Sequence, residues 1–141
     1  MRLQPNSIVA AFTICHLVGC KEQSPEAKIR KAFDACIQAV EARNAGGAVE
    51  GLSKDFQGPE GLDKPGSRLY LMGLLRQEKV GITVLGNRVE VKGAEADQSV
   101  ELMLTSKGEG LLPKDASRRI YRLHWKLEDG EWRLGRLEEG P

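Results

Sequence analysis

Few side chains in this sequence have both the type and the position to do chemistry. Asp55, Glu60 and Asp63 cluster in a stretch rich in glycine and proline, but their spacing departs from the Asp-x-Asp-x-Asp-Gly pattern of a calcium loop, and solvated turn residues explain them. His124 alternates with Trp125 along one apolar-polar run, together with Arg122 and Lys126, so its imidazole falls on the polar face. That is a poor place for a general base, which needs a tuned pKa beside its substrate. Glu101 sits off the Val100, Leu102, Leu104 face in the same way. Tyr70 is the one helical hydroxyl placed to enter a pocket, although an amphipathic core tyrosine is the commoner role. Cys36 lies at an apolar helical position, where cysteine behaves as a small hydrophobe. Arg118, Arg119, Arg122, Lys126, Arg133 and Arg136 gather near the carboxyl end and invite the idea of a patch for anionic lipid or polysaccharide. Acids such as Glu101 and Glu131 on neighbouring strands favour a solvated outer face instead. Phosphate loops, dinucleotide glycine patterns and aromatic-basic platforms are absent from the sequence, so neither a nucleotide cofactor nor a nucleic-acid partner is expected.

The chain that must position these groups has 141 residues, enough for one domain and too few for two cores. Its 40% hydrophobic and 29% charged residues are those of an ordinary packed domain rather than a disordered or fibrous one. With 21 basic against 20 acidic residues the formal charge is +1, which leaves no long-range field for gathering a polyanion.

The amino terminus reads as an address. Residues 1–19 carry one basic residue, Arg2, and an apolar run from Ile8 to Cys15 that is too short to cross a bilayer, and they end in the small Gly19. The segment Leu17-Val18-Gly19-Cys20 resembles the lipobox of bacterial lipoproteins. In that family the cysteine thiol receives diacylglycerol, the chain is cut before it, and the new amino terminus is acylated. The resemblance therefore implies removal of residues 1–19, lipid on Cys20, and a polar tether over residues 20–24. A doubly or triply acylated cysteine holds a membrane surface stably without a spanning helix. Lys21 rather than Asp after the cysteine favours the outer membrane under the enteric sorting rule, with the domain facing the periplasm of the cell envelope. Processing leaves Cys36 as the one free thiol and His124 as the one histidine, so neither an internal disulfide nor a His/Cys metal cluster is expected. Loss of Arg2 leaves 20 basic against 20 acidic residues.

Ser24 as cap, Pro25 at the first helical position and Glu26 in the first turn predict a helix start. Ile29, Phe33, Cys36, Ile37 and Val40 follow as one apolar stripe, and Asn44-Ala45-Gly46-Gly47 supplies a permissive end. A short helical turn then carries Val49 and Leu52 towards the core. Ser53 to Gly66 reads as a loop with Phe56 and Leu62 as its apolar anchors, and a second helix runs from about Asp63 or Ser67 to Glu78. Its Leu69, Tyr70, Leu71, Met72, Leu74 and Leu75 spread apolar surface around most of the circumference, as if buried on several sides or facing a second copy in a homodimer.

After Lys79 the period changes to two. Val80, Ile82 and Val84, a bulge or turn at Gly86-Asn87, and Val89 and Val91 make one strand; Gln98, Val100, Leu102 and Leu104 face inward on the next. Residues 107–117 form a loop. Tyr121, Leu123, Trp125 and Leu127 mark a third strand, Asp129-Gly130 a tight hairpin, and Trp132 and Leu134 a fourth strand ending near Leu137. The fold class expected is α+β, with amino-terminal helices on a half-buried antiparallel sheet over residues 25–139. The expected core holds Phe33, Ile37, Val40, Leu69, Met72, Val100, Leu102, Leu123, Trp125, Trp132 and Leu134.

This order of elements, with Ser53-Lys54-Asp55-Phe56 between the helices and Trp125-Lys126-Leu127-Glu128-Asp129-Gly130-Glu131-Trp132-Arg133-Leu134 as the final hairpin, resembles the nuclear transport factor 2-like superfamily. The resemblance implies a sheet curled around the helices into a cone with a pocket, which the apolar faces would line with Phe33, Ile37, Tyr70, Leu102, Leu123 and Trp125. Members include isomerases, dehydratases, ligand binders and many lipoproteins, so the resemblance argues fold and leaves function to the site. No catalytic residue of the superfamily transfers to this chain. The leading expectation is a non-catalytic, lipid-anchored module for a small apolar ligand or an envelope protein. The alternative, an isomerase, dehydratase or hydrolase of the ketosteroid isomerase kind, needs a carboxylate or histidine beside Tyr70 or Cys36.

Overall fold

Two helices that start on side-chain caps fix the amino-terminal half. In the computed structural model, which describes residues 23–106 and 117–141, Ser24 Oγ accepts from Ala27 N at 3.1 Å and opens α1 (Pro25–Glu41). Its stripe turns inward: Ile29 is wholly buried and Phe33 nearly so. The helix ends at Glu41, ahead of the expected Asn44-Ala45-Gly46-Gly47 end, because Arg43 takes the left-handed conformation at φ 60° and Asn44 serves the next helix instead. Asn44 Oδ1 accepts from Gly47 N at 2.9 Å to begin α2 (Ala45–Glu50), which buries Ala45, Ala48 and Val49.

The expected loop from Ser53 to Gly66 is corrected in its first part. Leu52–Gln57 form β1, which pairs parallel with the last strand, Leu52 opposite Leu134 and Gln57 opposite Arg136. The strand buries Leu52, Ser53 and Phe56, with an irregular register between its ends, so it lacks the strict alternation that announces a strand locally. A single 3-10 turn over Pro59–Gly61 follows. Asp63 Oδ1 then accepts from Gly66 N at 2.7 Å and starts α3 (Lys64–Gln77).

α3 buries only Leu75 fully, and Leu69, placed in the core by its sequence pattern, stands 69% exposed. The helix lies on the molecule along one side, so the apolar residues around the rest of its circumference meet solvent. Val40 and Met72 are half-buried rather than core.

The strands β2 (Val80–Lys92), β3 (Glu95–Ser106), β4 (Ser117–Glu128) and β5 (Glu131–Glu139) pair antiparallel, and the complete sheet order is β1-β5-β4-β3-β2. The sheet is therefore mixed, antiparallel except at β1. An extra residue, Leu85, interrupts the β2–β3 ladder between Val84 and Gly86, and Gly135 does the same in β5 between the partners of Trp125 and His124. Such bulges bend a strand and raise its twist, which curls the sheet around the helices. Asp129 and Gly130 turn the β4–β5 hairpin at φ 50° and 80°, the left-handed pair of a two-residue turn whose twist matches its strands. β5 runs two residues past the expected end at Leu137.

Val100, Leu102, Leu123, Trp125, Trp132 and Leu134 join Ile29, Phe33, Leu52 and Phe56 in one core cluster between the sheet's inner face and the helices. The loop expected over residues 107–117 lies outside the described residues as far as 116, as do the leader, Leu17, Val18, Gly19 and Cys20.

Candidate functional site

The inner face of the sheet brings five of the six expected pocket residues together. Phe33 of α1 meets Leu102, Leu123 and Trp125 in the buried cluster, and Ile37 lies against its edge. Tyr70 does not join them. It stands 59% exposed on α3, because the helix turns Leu75 rather than Tyr70 onto the core.

One polar thread runs through this apolar interior. Trp125 Nε1 donates to Gln98 Oε1 at 2.9 Å, and Gln98 Nε2 donates to Asn87 Oδ1 at 2.8 Å. Arg30 of α1 closes the thread, donating from Nη1 to the Asn87 carbonyl at 3.1 Å while its other nitrogens hold Glu26. Gln98 is 2% exposed, so its amide must be satisfied within the protein. Among the described residues every buried side-chain nitrogen and oxygen has a partner. A glutamine on an apolar strand face opposite a tryptophan strand was the available signal; Asn87, read only as a turn residue, hid the continuation.

The titratable side chains lie around this interior rather than within it. Glu101 faces outward and pairs with Arg118, and His124 pairs through Nδ1 with Asp97 on the same outer face. Asp55 projects from β1 into solvent, 3.7 Å from Lys126. Cys36 Sγ donates to the Ala48 carbonyl at 3.3 Å, and burial pushes its thiol up, which suits a clip between α1 and α2 and not a nucleophile. Tyr121 faces inward at the edge of the core, with Glu139 opposite it and Arg119 opposite Leu102 on the same sheet face. Burial first, then the carboxylate of Glu139 opposite it, pushes its phenol up; Arg119, bonded to Glu139 at 2.7 Å, opposes this, and nearby Tyr70 adds slightly. No group of three His, Cys, Asp or Glu able to hold a metal occurs among the described residues, nor is any described helix long and apolar enough to cross a membrane.

Two open clefts lie outside the core. One, of about 290 Å³, follows the outer sheet face between Arg88, Asp97, Arg122, His124 and Glu138. Five of the six cations read near the carboxyl end are paired on these strands: Arg118 with Glu101, Arg119 with Glu139, Lys126 with Glu128, Arg133 with Glu131 and Arg136 with Glu138, while Arg122 lines the outer cleft without an ion pair among the described residues. The other cleft, of about 470 Å³, lies where the end of α1, the start of α2 and α3 meet.

No protein-family model matches the sequence, and a search of curated proteins finds no match. Solved structures do match. A protein of unknown function from Pseudomonas putida KT2440, described as NTF2-like, superposes with a TM-score of 0.71 at 15% identity over 82% of this chain and 84% of that one. A cystatin-like protein of unknown function from Nostoc punctiforme gives 0.65 at 14% identity over 82% and 91%. An NTF2-like protein with a cystatin-like fold from Novosphingobium aromaticivorans gives 0.67 at 13% identity over 81% and 79%. The fold is the NTF2-like cone. At these identities the likeness carries architecture alone, and within that NTF2-like architecture the chemistry must be argued from this chain's own residues.

Proposed function

We propose that this protein is a lipid-anchored component of the bacterial cell envelope whose NTF2-like domain is a non-catalytic binding module. Cys20, with Leu17, Val18 and Gly19 before it, carries the anchor, and the domain faces the periplasm, held to the outer membrane. The observation that supports the binding role is the location of the titratable groups. His124, Glu101 and Asp55, the side chains a ketosteroid-isomerase-like mechanism would recruit, sit on the outer face or in solvent. The interior beside Phe33, Leu102, Leu123 and Trp125 is apolar, and its polar thread is neutral except at Arg30. A proton-transfer reaction needs an acid or base within hydrogen-bond reach of the substrate, whereas an apolar ligand or a protein partner needs only area. Leu69 and Tyr70 on α3 offer such area to an envelope protein or to a second copy of the chain.

The test is native mass spectrometry of the full chain extracted from membranes in mild detergent. The reading expects a retained apolar molecule, a protein partner or a dimer, the protein contacts weakening in Leu69→Asp and Tyr70→Asp variants. A bare monomer, combined with turnover that is lost on replacing His124 or Glu101 in a folded domain, would establish the enzyme alternative in its place.

A further inference from the structure

The cleft at the helix corner differs from every other charged region described above. Three arginines, Arg43, Arg68 and Arg76, line its 470 Å³ together with Asn44, and no acidic residue does. None of the three takes part in an ion pair among the described residues, although the sheet cations Arg118, Arg119, Lys126, Arg133 and Arg136 each have one. The arrangement is built rather than incidental. Arg68, Met72, Leu75 and Arg76 recur at i, i+4, i+7 and i+8, so one stripe of α3 turns both arginines to the same groove. Arg43 is fixed opposite them by its left-handed backbone and by donating from Nε to the Leu75 carbonyl at 2.7 Å and from Nη2 to the Arg76 carbonyl at 3.0 Å. That clamp uses two of its donors and leaves Nη1. The Arg68 guanidinium reaches across to the first turn of α2, its Nη2 4.0 Å from where a Cβ on Gly46 would stand.

Like charges gathered on one cleft are unfavourable unless an anion joins them. We propose that this cleft binds a small phosphate monoester. Guanidinium forks match phosphate oxygens in pairs of hydrogen bonds, so two or three arginines suit a dianionic group better than a single carboxylate. Met72, Leu75 and Ala45 form the apolar remainder of the wall, which suits a phosphate carried on a short carbon skeleton. The volume is that of a small-molecule site. The same chemistry is presented by a soluble ester and by the headgroup of a phosphatidic-acid-type lipid. The site is separate from the apolar interior and does not depend on the binding role proposed for it.

The experiment titrates the full chain, purified in neutral detergent, with glycerol 3-phosphate at constant ionic strength, following the arginine Nε–H resonances by NMR. A parallel arm measures co-sedimentation with phosphatidylcholine vesicles with and without phosphatidic acid. The proposal expects saturable shifts at Arg68 and Arg76, and binding at least about tenfold weaker in R68Q/R76Q, the loss expected for removing charged hydrogen bonds. Both side chains are at the surface, and chemical shifts elsewhere report whether the variant is folded. R88Q/R122Q, which removes the same charge from the outer sheet cleft, is expected to bind as the parent does. Saturable shifts with glycerol 3-phosphate assign a soluble ester; binding confined to phosphatidic-acid vesicles and lost in R68Q/R76Q assigns a headgroup. Equal weakening in the two double variants, or no saturable binding in either arm, overturns the site.

Discussion

Replacing Gln98 by Leu tests whether the polar thread holds the interior in place. The side chain is 2% exposed, and leucine of similar size keeps the volume while removing both its hydrogen bonds, to Trp125 Nε1 at 2.9 Å and to Asn87 Oδ1 at 2.8 Å. Trp125 is 4% exposed, so its indole N–H is left buried with no partner. A stranded buried donor costs about 1–3 kcal/mol; Asn87, half-buried, regains water and adds less. Q98L should therefore destabilise the domain by about 2 kcal/mol, with the gain in apolar contact already set against the lost bonds. Removing the donor as well should recover part of the loss. In a cycle of Q98L, W125F and the double variant, the coupling should be about 1–2 kcal/mol, as for neighbours sharing one network. Urea unfolding followed by far-ultraviolet circular dichroism gives each value from the midpoint, provided the slope is unchanged. A Q98L midpoint equal to that of the parent, or strictly additive single variants, refutes the claim that the thread is a coupled structural device.

Other consequences follow from the same contacts. Truncating Trp125 to Ala should cost about 3–5 kcal/mol in the same unfolding assay, because the indole lies at the centre of the core; a cost within error would place it outside. Cys36 should resist alkylation in the native protein and react once urea unfolds it, since burial disfavours its thiolate. Glu128 is held below the usual carboxylate range, first by the Ser53 hydroxyl and then by Lys126. A carboxylate with a depressed folded pKa contributes stability that is present above its unfolded pKa and is lost as the pH falls through the folded one. Ser53→Ala should raise the Glu128 pKa in an NMR titration, so that the acid loss becomes smaller and is complete at a higher pH; an unmoved titration would show that the neighbouring cations and not Ser53 set it.

The elements legible in the sequence are those whose partners are close along the chain. β4 and β5 announce themselves by strict alternation around Asp129-Gly130, and the bulge in β2 by Gly86 in an otherwise alternating run. β1 was not legible, because Leu52 finds its partner in Leu134, far downstream, and Leu52 and Ser53 are buried side by side. Leu69 and Tyr70 misled for a different reason: hydrophobicity around a helix says that surface exists, not that a neighbour covers it. In the interior, the helical stripe identified Phe33 and strand alternation identified Leu102, Leu123 and Trp125, while the thread through Gln98 and Asn87 required knowing that β2 and β3 bring those two residues together. The arginine cleft was hidden because Arg68 and Arg76 read as ordinary polar positions until the corner at Arg43 places a third cation beside them.

Whether the domain is held to an envelope membrane through Cys20, as proposed, is decided by the intact mass of the chain expressed in a Gram-negative bacterium and extracted from its membranes. The mass expected is that of a chain that begins at Cys20 and carries a diacylglyceryl group and an amino-terminal acyl chain, with Cys20→Ala yielding neither the cleavage nor the added lipid mass. An unmodified chain that retains Met1 would contradict it.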